Sequence, residues 1–392
     1  MLKFALLIAS SAAAYEAGHF GHHDHLAHGL VERQTDETVS ARLMSEIQSN
    51  YTAATQKRVQ ELGGECTWEK MVVRREWSEL SEDEKKAYLE ALKCMQTLPS
   101  KTNATLAPGA RNRVDDFAAA HVVNLQRVHF SPWLLPWHRR FTWEWERALK
   151  EECDWTGGQP YWDWSRTATK PLSDNPLFDG SSTSISGNGK VVETAEDGGQ
   201  CSCITTGPLA NWTVNLGPLY NGASCKDNPL PSGLGYNPRC LERDFDESYM
   251  ENITYPHIVD FILNYQVDAP TSASNSFFTQ LESWPNGIHP IPHTVIGGLQ
   301  NDIPASPSDP FFFFHHAHID RVWSLWQSRD EATRRNATAR PEDYSGTRKY
   351  RGWALADTVG MESVISFTDV FENVTVGEVM DPSGGVFCYR YE

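Results

Sequence analysis

The chain has 392 residues, 40% of them hydrophobic and 22% charged, with 14 tryptophans. That supplies core for one large or two medium domains, and so much rigid aromatic surface suits a buried core or an aromatic-lined pocket. The formal net charge of −17 argues against nucleic acid or an anionic membrane surface as partner, since both repel an acidic protein.

Residues 1–14 have the form of a secretory signal, with Lys3 as the positive start, an apolar stretch from Phe4 to Ala9, and Ala12-Ala13-Ala14 as the cleavage site. The apolar run is too short to span a bilayer, and no later segment approaches the roughly 18 apolar residues a membrane helix needs. Residues 15–40 read as a tail or propeptide. Five histidines fall between His19 and His28 without helical or strand period. Such a tract binds metal weakly at most, and its plain reading is a tail outside the chemistry. The remainder, 41–392, is expected to be one domain with no further C-terminal lid domain.

A helical pattern begins at Thr38. Residues 76–98 read as another helix, with Ser81 capping SEDEKKAYLEALKCM. Residues 115–128 are apolar at helical spacing, and Pro136 leads into a helix through Leu149. The stretch 156–245 is irregular, rich in Gly, Ser, Asn and Pro, and holds four of the eight cysteines. Helical patterns return at 245–265, 275–283, after His289 and strongly at 310–335. The last part, from Glu362 to Tyr391, carries β-branched and aromatic runs that read as short strands. The fold class is mainly α, with a loop-rich insert and a few strands.

The eight cysteines, Cys66, Cys94, Cys153, Cys201, Cys203, Cys225, Cys240 and Cys388, are scattered without a CxxC pair. That pattern favours disulfides over a zinc site and leaves the pairing open. Six N-x-[ST] sequons occur, at Asn50, Asn103, Asn211, Asn252, Asn336 and Asn373. Signal, cysteines and sequons together predict a secreted, glycosylated protein.

Outside the tail, nine histidines remain. His121, His129 and His138 form one cluster, and His289, His293, His315, His316 and His318 form another, while His257 stands alone. His121 and His129 are about two helical turns apart, with Ser131-Pro132 marking where the helix gives way. His138 opens the next helix. His289 and His293 are one turn apart on one face, and Pro290 and Pro292 confine that helix's first turn to this point. His316 lies on the 310–335 helix, one turn from Phe312 and from Asp320. An all-imidazole set without carboxylate points to copper, zinc, iron or nickel, and away from magnesium or calcium. The HxxxH of His289 and His293 lacks the glutamate of a metalloprotease. Inward histidines on several helices are how a bundle builds a metal site in its core, and two trios with open positions suit a two-electron reaction with dioxygen.

The segment HFSPWLLPWHRRFTWEWE from His129 is similar to the first copper signature of the tyrosinase, catechol oxidase and haemocyanin family, departing at Leu134, where Phe is usual. DPFFFFHHAHID, Asp309 to Asp320, matches the second copper signature in full, and PYWDW at 160–164 and YRY at 389–391 resemble the same family. The resemblance implies a four-helix-bundle core holding two copper ions. His121, His129 and His138 become the ligands of copper A; His289, His293 and His316 become those of copper B. The spacing to Asp320 selects His316, leaving His315 and His318 to packing or support. Asp320 would orient a neighbouring group, against the plainer reading of a surface ion pair with Arg321 or Arg329. Glu282 resembles the glutamate that fixes a water near copper B and takes a phenol proton. The substrate pocket would include Phe312 or Phe313, Pro290 and Thr294. Arg127 stands where many fungal relatives carry a cysteine in a thioether, so no such bridge is expected, and Pro290 stands where hydroxylating relatives often have Asn. The expected activity is oxidation of o-diphenols to o-quinones by dioxygen, with weaker monophenol hydroxylation. An o-aminophenol oxidase is a close variant. A haemocyanin-like oxygen carrier would use the same histidines without turnover, but such carriers shield the site with domains not seen here.

Overall fold

The computed structural model describes residues 37–194, 200–219, 224, 226–267 and 276–392. Residues 1–14, read as a signal, and the histidine-rich tract lie outside the described residues. Residues 37–40, placed in the tail by sequence, are instead the first turn of helix α1 (Glu37–Leu62), and Ser40 is already buried. Met44, Ile47, Tyr51 and Val59 follow on the buried stripe of that helix, at the spacing of one helical face.

α2 (Glu82–Thr97) starts at Ser81 with a capping box, the Ser81 hydroxyl accepting from Glu84 N–H and the Glu84 carboxylate accepting in return. The preceding residues, read as helical, form only a short 3-10 turn at Trp77–Glu79. α3 (Arg113–Val128) begins with a second capping box between Asn112 and Asp115. α4 (Leu134–Cys153) starts two residues ahead of Pro136, which therefore sits in the first turn, where its missing N–H has no partner to lose. Later come α5 (Tyr255–Asn264), α6 (Phe277–Leu281), α7 (Pro290–Ile296), α8 (Phe311–Ser328), α9 (Glu331–Arg334) and α10 (Ser345–Tyr350). The 310–335 pattern is thus two helices, broken where Asp330 caps α9 through Thr333.

The four helices α3, α4, α7 and α8 form the core bundle. Every residue of α8 from Phe311 to Gln327 is buried, including His315, His316, His318, Asp320 and Arg321, so this is the central helix and its polar groups must find partners inside. Phe313 stacks on Trp145 of α4 at 4.0 Å, and Phe117 of α3 meets Trp145 edge-on at 4.9 Å. Each such ring contributes about 1.5–3 kcal/mol by leaving water.

Strands are short and peripheral: β1 (Val72–Arg74), β2 (Lys190–Thr194), β3 (Gln200–Cys203), β4 (Thr213–Val214), β5 (Arg239–Cys240), β6 (Val364–Ile365), β7 (Val374–Thr375) and β8 (Tyr389–Tyr391). β2–β3, β4–β5 and β6–β7 pair antiparallel, while β1 and β8 pair in parallel with Val72 opposite Tyr389. Disulfides join Cys66 to Cys388, Cys94 to Cys153 and Cys203 to Cys240, and Cys201 is also disulfide-bonded. The first fastens β8 beside β1, the second ties α2 to the end of α4, and the third closes the irregular insert.

Asp320 of α8 is buried, and its partners are neither Arg321, itself buried, nor the exposed Arg329. It accepts from Arg139 of α4, from Arg74 of β1 at 3.4 Å, and from the hydroxyls of Tyr389 and Tyr391, each at 2.6 Å. Glu146 takes the other side of Arg74 at 2.8 Å. This closed charge network staples α4 to α8 and both to β1 and β8.

Candidate metal centre

His121 sits mid-way along α3 and His129 closes it in an extended conformation. The His129 Nδ1–H donates to Leu125 O at 3.0 Å, and His138 of α4 donates to Leu134 O at 2.7 Å. Both acceptors lie one turn back on the same helix. His121 instead donates to Pro304 O at 2.8 Å, in the 3-10 segment Ile303–Ser308. A carbonyl oxygen can only accept, so each Nδ1 holds the proton and each Nε2 keeps a lone pair. The three rings offer ligand atoms within 4.8 Å of one another, with the Nε2 atoms of His121 and His138 3.4 Å apart.

On the other side, His289 precedes α7, whose first turn holds Pro290 and Pro292. His293 Nδ1 donates to Gln300 Oε1 at 2.7 Å, and Gln300 Nε2 donates onward to Ser306 O at 3.0 Å. His289, His293, His315 and His316 also offer atoms within 4.8 Å of one another. His315 spends Nε2 on His289 O at 2.9 Å, whereas His316 has no hydrogen-bond partner on either nitrogen. The trios face each other: His138 stacks on His316 at 4.4 Å and His129 lies 5.9 Å from His289.

Burial holds every one of these imidazoles neutral. His129 is pushed down to about 4, and His289 and His293 to about 3, while His121, His138 and His316 fall well below the usual histidine range. Neutral imidazoles with protons fixed on the far nitrogen are what a metal ligand requires. His316 is buried among the other imidazoles with neither nitrogen partnered, and such a group is costly unless something meets it.

Glu282 follows α6 and is buried, 3.7 Å from His289 Nδ1, with no hydrogen-bond partner for either oxygen among the described residues. Burial pushes its carboxyl up to about 7, with His129 pulling the other way. A cleft of about 220 Å³ opens over His129, His289 and His293, and Glu282, Pro290, Thr294, Phe130, Trp284 and Arg351 line it. Phe312 and Phe313, expected in this pocket, are elsewhere. Both are wholly buried, Phe312 stacked on His316 at 4.1 Å and Phe313 on Trp145. Gln300, Phe130, Trp284 and Arg351 were not singled out by sequence, and of these only Phe130 falls within a quoted motif, directly after His129. His318 lies 3.6 Å from buried Asp163, and His257 bonds Asn286 O at 2.8 Å, so neither joins the trios.

The sequence profile of the common central domain of tyrosinase matches residues 111–329. The tyrosinase-like protein orsC of Emericella nidulans is 42% identical over 299 residues, covering 70% of this chain and 79% of that one. Tyrosinase P of Aspergillus terreus is 34% identical over 341 residues, 81% of this chain and 91% of that one. A mutant polyphenol oxidase from Thermothelomyces thermophila superposes with a TM-score of 0.77 at 33% identity, covering 89% of this chain and 97% of that one. The chain belongs to the tyrosinase family, whose members are copper oxidoreductases with a type-3 pair of copper ions. The donor set fits that pair: neutral, all-imidazole, and preset at Nε2 wherever a partner fixes the proton.

Proposed function

We propose that His121, His129 and His138 hold one copper, that His289, His293 and His316 hold the other, and that the chain oxidises o-diphenols to o-quinones with dioxygen. The observation that carries this reading is the pair of neutral histidine trios facing each other beneath an open cleft. Bound copper would supply the dioxygen binding and the electron transfer. Each catechol gives up two electrons and two protons, and one dioxygen takes four of each to leave two waters.

The chain's own residues bind, orient and move protons. Glu282 is the group placed to accept a phenol proton within the cleft, and bound copper adds positive charge that favours its ionised form. A monophenol, with a pKa of about 10, arrives protonated and depends on such a base. Pro290 at the cleft offers neither a side-chain donor nor a backbone N–H to hold a water for it, so catechols are the better substrates. Secretion is supported by the signal-like start, the disulfides and the sequons, five of which have exposed asparagines. The test is copper content with oxygen uptake. Two coppers per chain and catechol-dependent uptake are expected; one copper, or two without uptake, would sink the reading.

A further inference from the structure

Helix α3 ends without glycine. His129 is its C-cap, and Phe130, at the position where helices commonly place a left-handed glycine, has a φ of 47°. That conformation costs a residue with a side chain free energy, and it persists where the surroundings enforce it. The carbonyls of the last turn have no helical partners, and side chains take them up one by one. The His129 ring donates to Leu125 O, the Ser131 hydroxyl to Arg127 O, and Arg348 to Gln126 O at 2.8 Å. Arg348 reaches further. The same Nη1 donates to His129 O at 3.1 Å and to Phe130 O at 3.4 Å, the two peptide groups that flank the Phe130 Cα, and Nε donates to Ala354 O.

Arg348 is buried in α10, 219 residues beyond His129 in the chain. Each of these four acceptors is a backbone carbonyl, so its rigid fork of donors acts on the course of the main chain. Its charge also suits the negative end of a helix. Arg351, three residues on, lies 4.5 Å from the Phe130 ring centroid, so the strained residue is held by its ring as well as by its backbone. The consequence falls on His129. His121 and His138 stand within α3 and α4, where helical hydrogen bonds fix the backbone. His129 has left the helix, and a turn of its backbone would carry Nε2 away from the other two rings. We propose that Arg348 is a positioning residue for the first copper, clamping the end of α3 from a distant helix so that His129 stays aimed at the metal. This rests on the assignment of His129 as a copper ligand.

The test is competition of copper-loaded wild type, Arg348→Gln and Arg348→Lys against a Cu(I) chelator. In Arg348→Gln one of the two coppers should bind about tenfold more weakly, as when support behind a metal-bound histidine is lost, and the other should hold as in wild type. Arg348→Lys keeps the charge and part of the bonding, so its weaker copper should fall between the two. A merely structural arginine would loosen both coppers alike, in step with a lower denaturant midpoint of the copper-free protein. That outcome overturns the proposal, and so does extraction indistinguishable from wild type. Should Arg348→Gln not fold, Arg348→Lys decides by the same criterion, one copper weakened or both alike. His129→Ala separates the two levels of the reading: if it retains both coppers, the ligand assignment fails and the role of Arg348 falls with it.

Discussion

In the first trio, two of three histidines are oriented by carbonyls of their own helices, Leu125 O for His129 and Leu134 O for His138. In the second, His289 caps and His293 rides a helix of seven residues, and His293 is oriented by a side chain, Gln300, itself held by Ser306 O. The rings of His129 and His138 gain their acceptors as soon as α3 and α4 form, while His121 waits on Pro304 O. The second exists only once loop 297–308 has packed against α7. Each trio thus leans on loop 297–308 through one histidine, His121 through Pro304 O and His293 through Gln300, but only in the second is the orienting group a side chain.

The largest expected effect is His316→Ala, which should leave about one copper per chain and no catechol turnover. His315→Ala should retain two coppers by atomic absorption, because His315 spends its Nε2 on a backbone carbonyl; the reverse outcome would mean that the helix register of the ligands is wrong. Next comes Asp320→Asn, which strips the charge from the staple between the helices of His138 and His316. Breaking a buried ion pair costs about 3–5 kcal/mol, so the denaturant midpoint should drop and both coppers should be lost together. Loss of only one would show that the trios are supported independently. Gln300→Leu acts directly on the second trio, through His293. Removing a hydrogen-bond partner behind a metal-bound histidine weakens affinity about 10- to 100-fold. Competition with a chelator should then extract one copper early and the other at the wild-type rate. Two coppers leaving in step would erase the distinction between the halves. The smallest change concerns selectivity: Pro290→Asn should raise the monophenol rate relative to the catechol rate at equal copper content, and a wild type that already treats both alike would refute that role for Pro290.

What could be read from sequence follows the same divide. The histidines were legible because helical spacing and the run from Asp309 to Asp320 are local. Helix α8 shows where that stops. Four successive phenylalanines point about 100° apart, toward His316, Trp145, Trp162 and Trp77 by turns, and no period says which one meets a substrate. Gln300, Arg348 and Arg351 act through single bonds or stacks between loops, which leave no pattern along the chain. Asp320 was marked by its spacing from His316, yet its partners come from residues 74, 139, 389 and 391, distances over which spacing carries no information.

Strand β8 places a time constraint on the centre. Residues 389–391 lie beside β1, some 300 residues earlier in the chain, and supply two hydroxyls that donate to Asp320. A growing chain emerging from the ribosome has made all six histidines long before it makes Tyr389. Until then Asp320 faces Arg74 and Arg139 without those donors, and contacts this distant in sequence form slowly. The buried network around Asp320 is therefore complete only when the segment 389–391 has docked beside β1.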